Sequence, residues 1–105
     1  MNYRIIRHPE VAADVMGIVD LLLYYADPDV AERKIEQIEE TIQALSELPH
    51  IGSLRDDIHP GIRAIPTAGK GVIAFRVDDA QKIVYIISIT YADADWMYRL
   101  RARIH

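Results

Sequence analysis

The apolar and polar positions of the chain follow two different periods, and the changes of period divide it into structural elements. Short runs rich in β-branched and aromatic residues occupy positions 2 to 7, 61 to 66, 71 to 79 and 82 to 90, and such runs predict strands. Between the first and second run, apolar residues recur every three or four positions, which predicts helices. The resulting order is β-α-α-β-β-β. We therefore expect an α+β fold in which a helical hairpin packs on a small antiparallel sheet.

Two helices are predicted between residues 9 and 48. Pro9 and Glu10 suit the first turn of one helix, and Asp27 followed by Pro28 suits the start of the other. The second helix has an apolar seam at Ala31, Ile35, Ile38, Ile42 and Leu45. Glutamates occupy its opposite side, which indicates a solvated surface. The two helices should form an antiparallel hairpin whose combined apolar stripe covers one side of the sheet.

The last three strands are separated by "TAGK" and "DDAQ", which is typical of an antiparallel meander. Residues 93 to 105 predict a short C-terminal helix that begins at Asp93 or Asp95 and carries arginines near its negative end. We expect the other, exposed side of the meander to meet a second polypeptide. The chain shows no repeat or linker, so residues 1 to 105 are interpreted as one domain.

Composition narrows the function classes. The absence of cysteine excludes disulfides and thiolate chemistry. No apolar run approaches the ~18 residues of a membrane span, and the first residues show no export signal. We therefore expect a cytoplasmic protein. The net charge of −4 argues against direct nucleic-acid binding. Positions 10 to 57 are strongly acidic and the rest of the chain is basic, so partners are expected to favour one surface.

No catalytic residue, metal site or cofactor is predicted. None of the histidines has the spacing or neighbouring carboxylates of a known metal-ligand pattern: His8, His50, His59 and His105. The segment "AGKG" lacks the rest of a phosphate-binding loop and is better explained as a hairpin turn. No serine has the flanking glycines of a nucleophile elbow.

The basic residues of the second half are the remaining candidates. Arg63 and Arg76 are expected to point to the same open face of the meander, because side chains on paired strands align. Two interpretations stay open for these arginines. They are solvated or paired with Asp and Glu, or they contact an anion or an acidic peptide.

Several motifs along the chain occur in a known order. Pro9, Glu10, Ala13 and Asp14 follow the first strand, "LPHIG" follows the second helix, and "PGIRAIP" and "GVIAFRVDD" enter the sheet. From Tyr3 to Trp96 this order resembles the ParE branch of the ParE/RelE superfamily, the toxins of bacterial type II toxin–antitoxin modules. "LPHIG" and "PGIRAIP" supply the prolines and glycines of the segment from 49 to 67, which carries the chain from the hairpin to Arg63.

The resemblance implies a toxin, of a class linked to plasmid stabilization, that binds a protein target and is neutralised by a cognate antitoxin. ParE-like proteins are associated with DNA gyrase. The antitoxin would be ParD-like, encoded by the adjacent gene, and its amphipathic C-terminal segment would dock across the sheet and hairpin. Candidate contacts with target or antitoxin are Arg63, Lys70, Arg76, Asp95, Trp96, Tyr98, Arg99, Arg101 and Arg103.

The resemblance leaves two alternatives. RelE-like members are ribosome-dependent mRNA endoribonucleases, and an inactive member would act as a binding module. Gly71 and Val72 stand where a RelE-like nuclease carries an Arg, and "TYADADWMY" is acidic where nucleases tend to be basic. Of the common His-Gly-x-Arg-Asp ending, this chain retains only the Asp. These departures favour ParE-like binding over catalysis.

Overall fold

The computed structural model describes residues 2–104 and confirms the α+β class, with three helices and a five-stranded sheet. The elements are β1 (Arg4–Arg7), α1 (Val11–Tyr25), α2 (Pro28–Glu47), β2 (Ser53–Leu54), β3 (Ile62–Thr67), β4 (Gly71–Asp78), β5 (Ile83–Tyr91) and α3 (Trp96–Arg103). The strand order is β1-β5-β4-β3-β2. The predicted meander of β3, β4 and β5 is confirmed.

The sheet differs from the prediction in two respects. It is mixed, because β1 lies parallel to β5 while the other neighbours are antiparallel. It also contains β2, which is too short at two residues to show a period of its own. No helix in the described part of the chain combines the length and the hydropathy that a transmembrane span requires.

The helical hairpin packs on one face of the sheet, as its periodicity predicts. The side chain of Asp27 accepts a hydrogen bond from the backbone of Val30 at 2.9 Å and caps α2. The helices and the sheet share one apolar cluster, which includes Ile38, Ile42 and Leu45 of α2 and Phe75 of β4, all fully buried. The Pro/Gly-rich segment then leads to β2 and β3, with Gly52 and Gly61 in the left-handed region at φ 84° and 83°.

The opposite face of the sheet is partly covered, which corrects the expectation that it is open. Leu100 of α3 is fully buried and forms a second apolar cluster with Ile58, Ile62 and Ala74. Trp96 and Met97 pack against the same cluster. The sequence indicates α3 but not its place, because a short helix can dock on either face. The part of this face that α3 leaves open forms a groove.

Candidate functional site

A groove lies on the α3 side of the sheet, between that helix and strand β1. Its cavity volume is about 570 Å³. Apolar side chains from three strands, Ile6, Ile62 and Ile87, line it together with Tyr85. Basic groups surround this apolar surface: Arg7, His8, His59, Arg76 and Arg103. We call this cavity the sheet groove. An apolar floor with a basic rim suits a ligand that is both apolar and acidic.

Arg76 is the arginine that the sheet groove leaves available. It lies opposite Tyr85 in the β4–β5 register, and its guanidinium carbon is 4.6 Å from the centroid of the tyrosine ring. Such stacking fixes the guanidinium plane while leaving its hydrogen-bond donors free. Arg76 is exposed, and no carboxylate of residues 2–104 lies within ion-pair distance of it. It can therefore receive a carboxylate or phosphate from outside the chain.

Arg103 also borders the sheet groove, but its charge is used inside the molecule. Its two terminal nitrogens each lie 2.6 Å from the carboxylate of Asp14, and its Nε is 3.2 Å from Glu10. Its side chain is 11% exposed and that of Asp14 is 3% exposed. The hydrogen bonds that Arg103 donates to Asp14 raise the pKa of the Arg103 guanidinium, and burial opposes this only in part. Arg103 thus fastens α3 to α1.

The ion pair between Arg103 and Asp14 lies beside a bulge in β5, where β1 ends. The β4–β5 register shifts after Ala74, so that Ile87 is an extra residue on β5, and β1 ends opposite Ile86. The backbone of β5 beyond Ile86 consequently lacks a strand partner on that side. Arg103 donates to the carbonyl oxygen of Ile87 at 3.1 Å, and Asp14 accepts from the N–H of Ile89 at 3.0 Å. The pair therefore satisfies backbone groups that burial would otherwise leave unpaired.

The remaining basic groups of the groove are partly engaged. Arg7 donates to both carboxylate oxygens of Glu39 on α2, at 3.1 and 2.7 Å. Nδ1 of His8 accepts from the N–H of Glu10 at 3.1 Å. Nδ1 of His59 lies 3.2 Å from the carbonyl oxygen of Pro60. Each histidine therefore keeps its Nε2 for another partner.

Arg63 and Arg76 do not share a face, so the prediction of a common arginine surface is wrong. In the β3–β4 register Arg63 lies opposite Phe75, which faces the helices, whereas Arg76 lies opposite Ile62, which faces α3. Arg63 is paired with the residue next to Arg76, and because successive side chains of a strand point to opposite faces, the two arginines lie on opposite sides of the sheet. Arg63 donates instead to the carbonyl oxygen of His50 at 2.9 Å. It holds the loop that leaves α2.

The other candidates form no single cluster. Lys70 lies in the turn at the opposite end of β4 from Arg76. Asp95 is the N-cap residue of α3 but makes no side-chain capping bond, and Arg99 pairs with Asp93 at 3.0 Å. Arg101 is exposed in the last turn of α3.

The aromatic candidates on α3 differ in exposure. Trp96 is half-buried beneath Arg55, whose guanidinium carbon is 5.5 Å from its ring, and Arg55 also binds Asp57 at 2.9 Å. Tyr98 is 78% exposed. Trp96 is therefore mainly a packing residue, while Tyr98 is free to contact a partner.

Sequence reasoning missed Tyr85 and the contribution of Arg7, His8 and His59 to the groove. The contribution of Tyr85 can be predicted only when the β4–β5 register is known, because that register places it opposite Arg76. The two histidines come together through long-range packing, which leaves no local signal. Among residues 2–104, no three His, Cys, Asp or Glu side chains are placed to hold a metal ion. His105 lies outside the described residues.

Comparison with known proteins defines the class. Residues 5–96 match the family described as the ParE toxin of the type II toxin-antitoxin system, parDE. This chain therefore belongs to the ParE toxin family, within the ParE/RelE superfamily that its motifs resemble. A search of the curated proteins found no significant match.

Three solved structures show the same fold. The chromosomal ParDE toxin–antitoxin system from P. aeruginosa is 23% identical with a TM-score of 0.71, covering 85% of this chain and 95% of that one. A mutant of the E. coli toxin RelE in the free state is 18% identical with a TM-score of 0.64, covering 97% and 96%. The RelBE2 toxin–antitoxin complex from Mycobacterium tuberculosis is 16% identical with a TM-score of 0.58, covering 87% and 99%.

Proposed function

We propose that this chain is the toxin of a type II toxin–antitoxin pair that acts in the cytoplasm by binding a protein target. Its antitoxin would be a ParD-like protein encoded by the adjacent gene. Membership of the ParE family supports the toxin role. The structural relatives include a ParDE system and the RelBE2 toxin–antitoxin complex, which supports an antitoxin partner.

The observation that carries the proposal is the exposed Arg76 stacked on Tyr85 in an apolar groove. A polypeptide segment with a carboxylate between apolar side chains would pair with Arg76 and fill the space over Ile62 and Ile87. Charge-assisted bonds to a planar guanidinium are among the stronger polar contacts in proteins. The antitoxin's C-terminal segment is the expected occupant of the sheet groove. Tyr98, Arg99 and Arg101 on α3 remain candidates for further contacts.

Growth after induction tests the toxin role. Expression of this chain alone should arrest growth, and coexpression of the adjacent gene product should restore it. An inactive family member, kept as a binding module, would leave growth unchanged while still purifying with the adjacent product. Unchanged growth together with no copurifying partner would contradict the proposal as a whole.

DNA gyrase is the proposed target by family resemblance. A supercoiling assay with the purified chain checks it, because a gyrase poison should inhibit the enzyme at micromolar concentrations. Growth arrest without inhibition of supercoiling would exclude gyrase as the target and would leave the toxin role supported.

RelE-like cleavage of mRNA on the ribosome is the second candidate function. It is favoured by the presence of His8, His59 and Arg76 around one cavity. Imidazole groups can transfer protons, and a guanidinium group can stabilise the charge on a phosphate. Primer extension on translated messages after induction distinguishes it. Discrete cuts at ribosomal A sites would support the nuclease, and intact messages would support target binding.

A further inference from the structure

The outward side of α1 is unusually apolar for a surface helix. Met16 is 61% exposed, Leu23 49% and Tyr24 81%. Tyr25 is also exposed, but it is the last residue of the helix and lies on the side of Ile18 and Leu22. Most of the large apolar side chains that are exposed within residues 2–104 are on this one helix. A helix that is apolar on all sides is normally covered on all sides. The core covers only one side of α1, through Val11, Ile18 and Leu22.

Helical spacing groups the exposed residues into a continuous surface. We call it the α1 outer face, and it comprises Ala13, Met16, Gly17, Asp20, Leu23 and Tyr24. These positions repeat every three or four residues, so they lie on the side of α1 opposite the core. A Cβ atom added at Gly17 would have nothing within 4 Å. The backbone of α1 is therefore accessible at Gly17, and a second helix can approach it closely.

The charges around this surface are acidic. Helix α1 contains no Lys or Arg, and the exposed charge on its outer face is Asp20. Asp27 and Asp29 follow at its C-terminal end. Among the charged groups beside Ala13 and Gly17, Arg99 is paired with Asp93, and Arg103 is paired with Asp14 and Glu10. The accessible potential is therefore negative, and a basic partner is favoured.

Two other occupants fit less well. A second copy of the chain would bring Asp20 and its acidic neighbours against the same groups, and like charges at an interface are unfavourable. A lipid surface is bound by amphipathic helices whose polar side is rich in Lys and Arg, and α1 has none.

We propose that the α1 outer face docks an amphipathic α-helix of a partner protein, one whose apolar stripe is flanked by Lys and Arg. The apolar stripe packs on Met16, Leu23 and Tyr24, close to α1 at Gly17, while the basic flanks pair with Asp20 and Asp27. Methionine and aromatic residues are enriched at such interfaces. This surface lies on the helical layer and shares no residue with the lining of the sheet groove, and the inference does not depend on the proposed toxin function.

Binding of designed peptides to the full chain tests this inference. The probes are two helical peptides of the length of α1 with the same leucine stripe, one flanked by Lys and the other by Glu. Fluorescence anisotropy should show binding of the Lys-flanked peptide and at least about tenfold weaker binding of the Glu-flanked peptide. Equal affinity of the two peptides, or no binding of either, would overturn the proposal.

The substitution Gly17→Lys assigns the binding to this face. Lys is a better helix former than Gly, so the variant should unfold at the same or a higher temperature. Its bulk and charge should weaken binding of the Lys-flanked peptide by about tenfold or more. Gln81→Lys, in the turn between β4 and β5, adds the same charge elsewhere and should bind as the original chain does. The proposal would be overturned if Gly17→Lys bound the Lys-flanked peptide as tightly as the original chain does. It would also be overturned if the original chain formed a concentration-dependent dimer that Gly17→Lys abolished.

Discussion

Asp14 and Arg103 show how a single residue pair connects distant parts of this fold. They are 89 positions apart, and both are largely buried where α1, β5 and α3 meet. The sequence suggests different roles, with Asp14 in a family motif and Arg103 as a candidate for partner contact. The structure gives them one shared task, which is to complete the hydrogen bonding of β5 next to its bulge.

Replacing Asp14 tests that task. Asp14→Asn leaves the buried charge of Arg103 without its main partner, and breaking such a pair typically costs about 3 kcal/mol. Urea unfolding followed by circular dichroism measures the change in the free energy of unfolding. Asp20→Asn, on the exposed side of α1, is the matched control and should change it by less than about 0.5 kcal/mol. If the two variants were equally stable, the pair would not hold α3 in place.

The ion pair of Arg7 and Glu39 predicts a pH dependence. The paired hydrogen bonds from Arg7 lower the pKa of Glu39 below its ordinary value. Glu39 therefore stabilises the fold above its ordinary pKa, and this contribution disappears as the pH falls through the lowered value. Both side chains are more than one-third exposed, so the contribution at pH 7 is about 0.5 kcal/mol.

Glu39→Gln should accordingly be less stable than the original chain at neutral pH and equally stable once the pH lies well below the lowered pKa of Glu39. Unfolding curves collected across this range provide the comparison. Glu40→Gln removes the same charge from a neighbouring exposed position and should show no such convergence. A stability difference for Glu39→Gln that persisted unchanged into acid would refute the assignment.

At the scale of elements, the helices were easier to predict than the sheet. The seam of α2 and its Asp27 cap follow from local spacing, and both are confirmed. The parallel placement of β1, the two-residue β2 and the bulge at Ile87 were not predicted. The partner of β1 lies at the far end of the chain, β2 is too short to show a period, and the bulge depends on the register between β4 and β5. Periodicity therefore carries no signal for these three features.

The segment between α2 and β3 depends on two glycines with the same backbone angle and different surroundings. Gly52 has φ 84° and a Cβ there would lie 2.7 Å from the carbonyl oxygen of Ala64. Gly61 has φ 83° and a Cβ there would meet nothing within 4 Å. Gly61→Ala should lower the free energy of unfolding by about 1 kcal/mol, because alanine disfavours the left-handed conformation. Gly52→Ala should cost about 3 kcal/mol, because the clash adds to the same backbone term.

Chemical denaturation of the two glycine variants gives the difference directly. Since the backbone angle is common to both, that difference reports the close approach of the loop to β3. Equal stabilities would mean that the loop does not pack against β3 as described.

At the scale of the whole molecule, the sheet is covered by the helical hairpin on one face and partly by α3 on the other. The class of the fold and the family followed from the order of elements and motifs. Only part of the candidate site could be predicted from the sequence. Arg76 was identified, but the register separates it from Arg63 and joins it to Tyr85. Which basic residues share a surface is decided by strand register and by the docking of α3, and neither is encoded locally.

The affinity of the proposed antitoxin segment for the sheet groove tests the central claim most directly. The measurement is calorimetric titration of the purified chain with a synthetic peptide covering the C-terminal segment of the adjacent gene product. Loss of a charge-assisted bond predicts that Arg76→Ala weakens binding by about tenfold or more. Arg33→Ala, an exposed position on α2, should bind as the original chain does. Identical affinities for the original chain and Arg76→Ala would contradict the account.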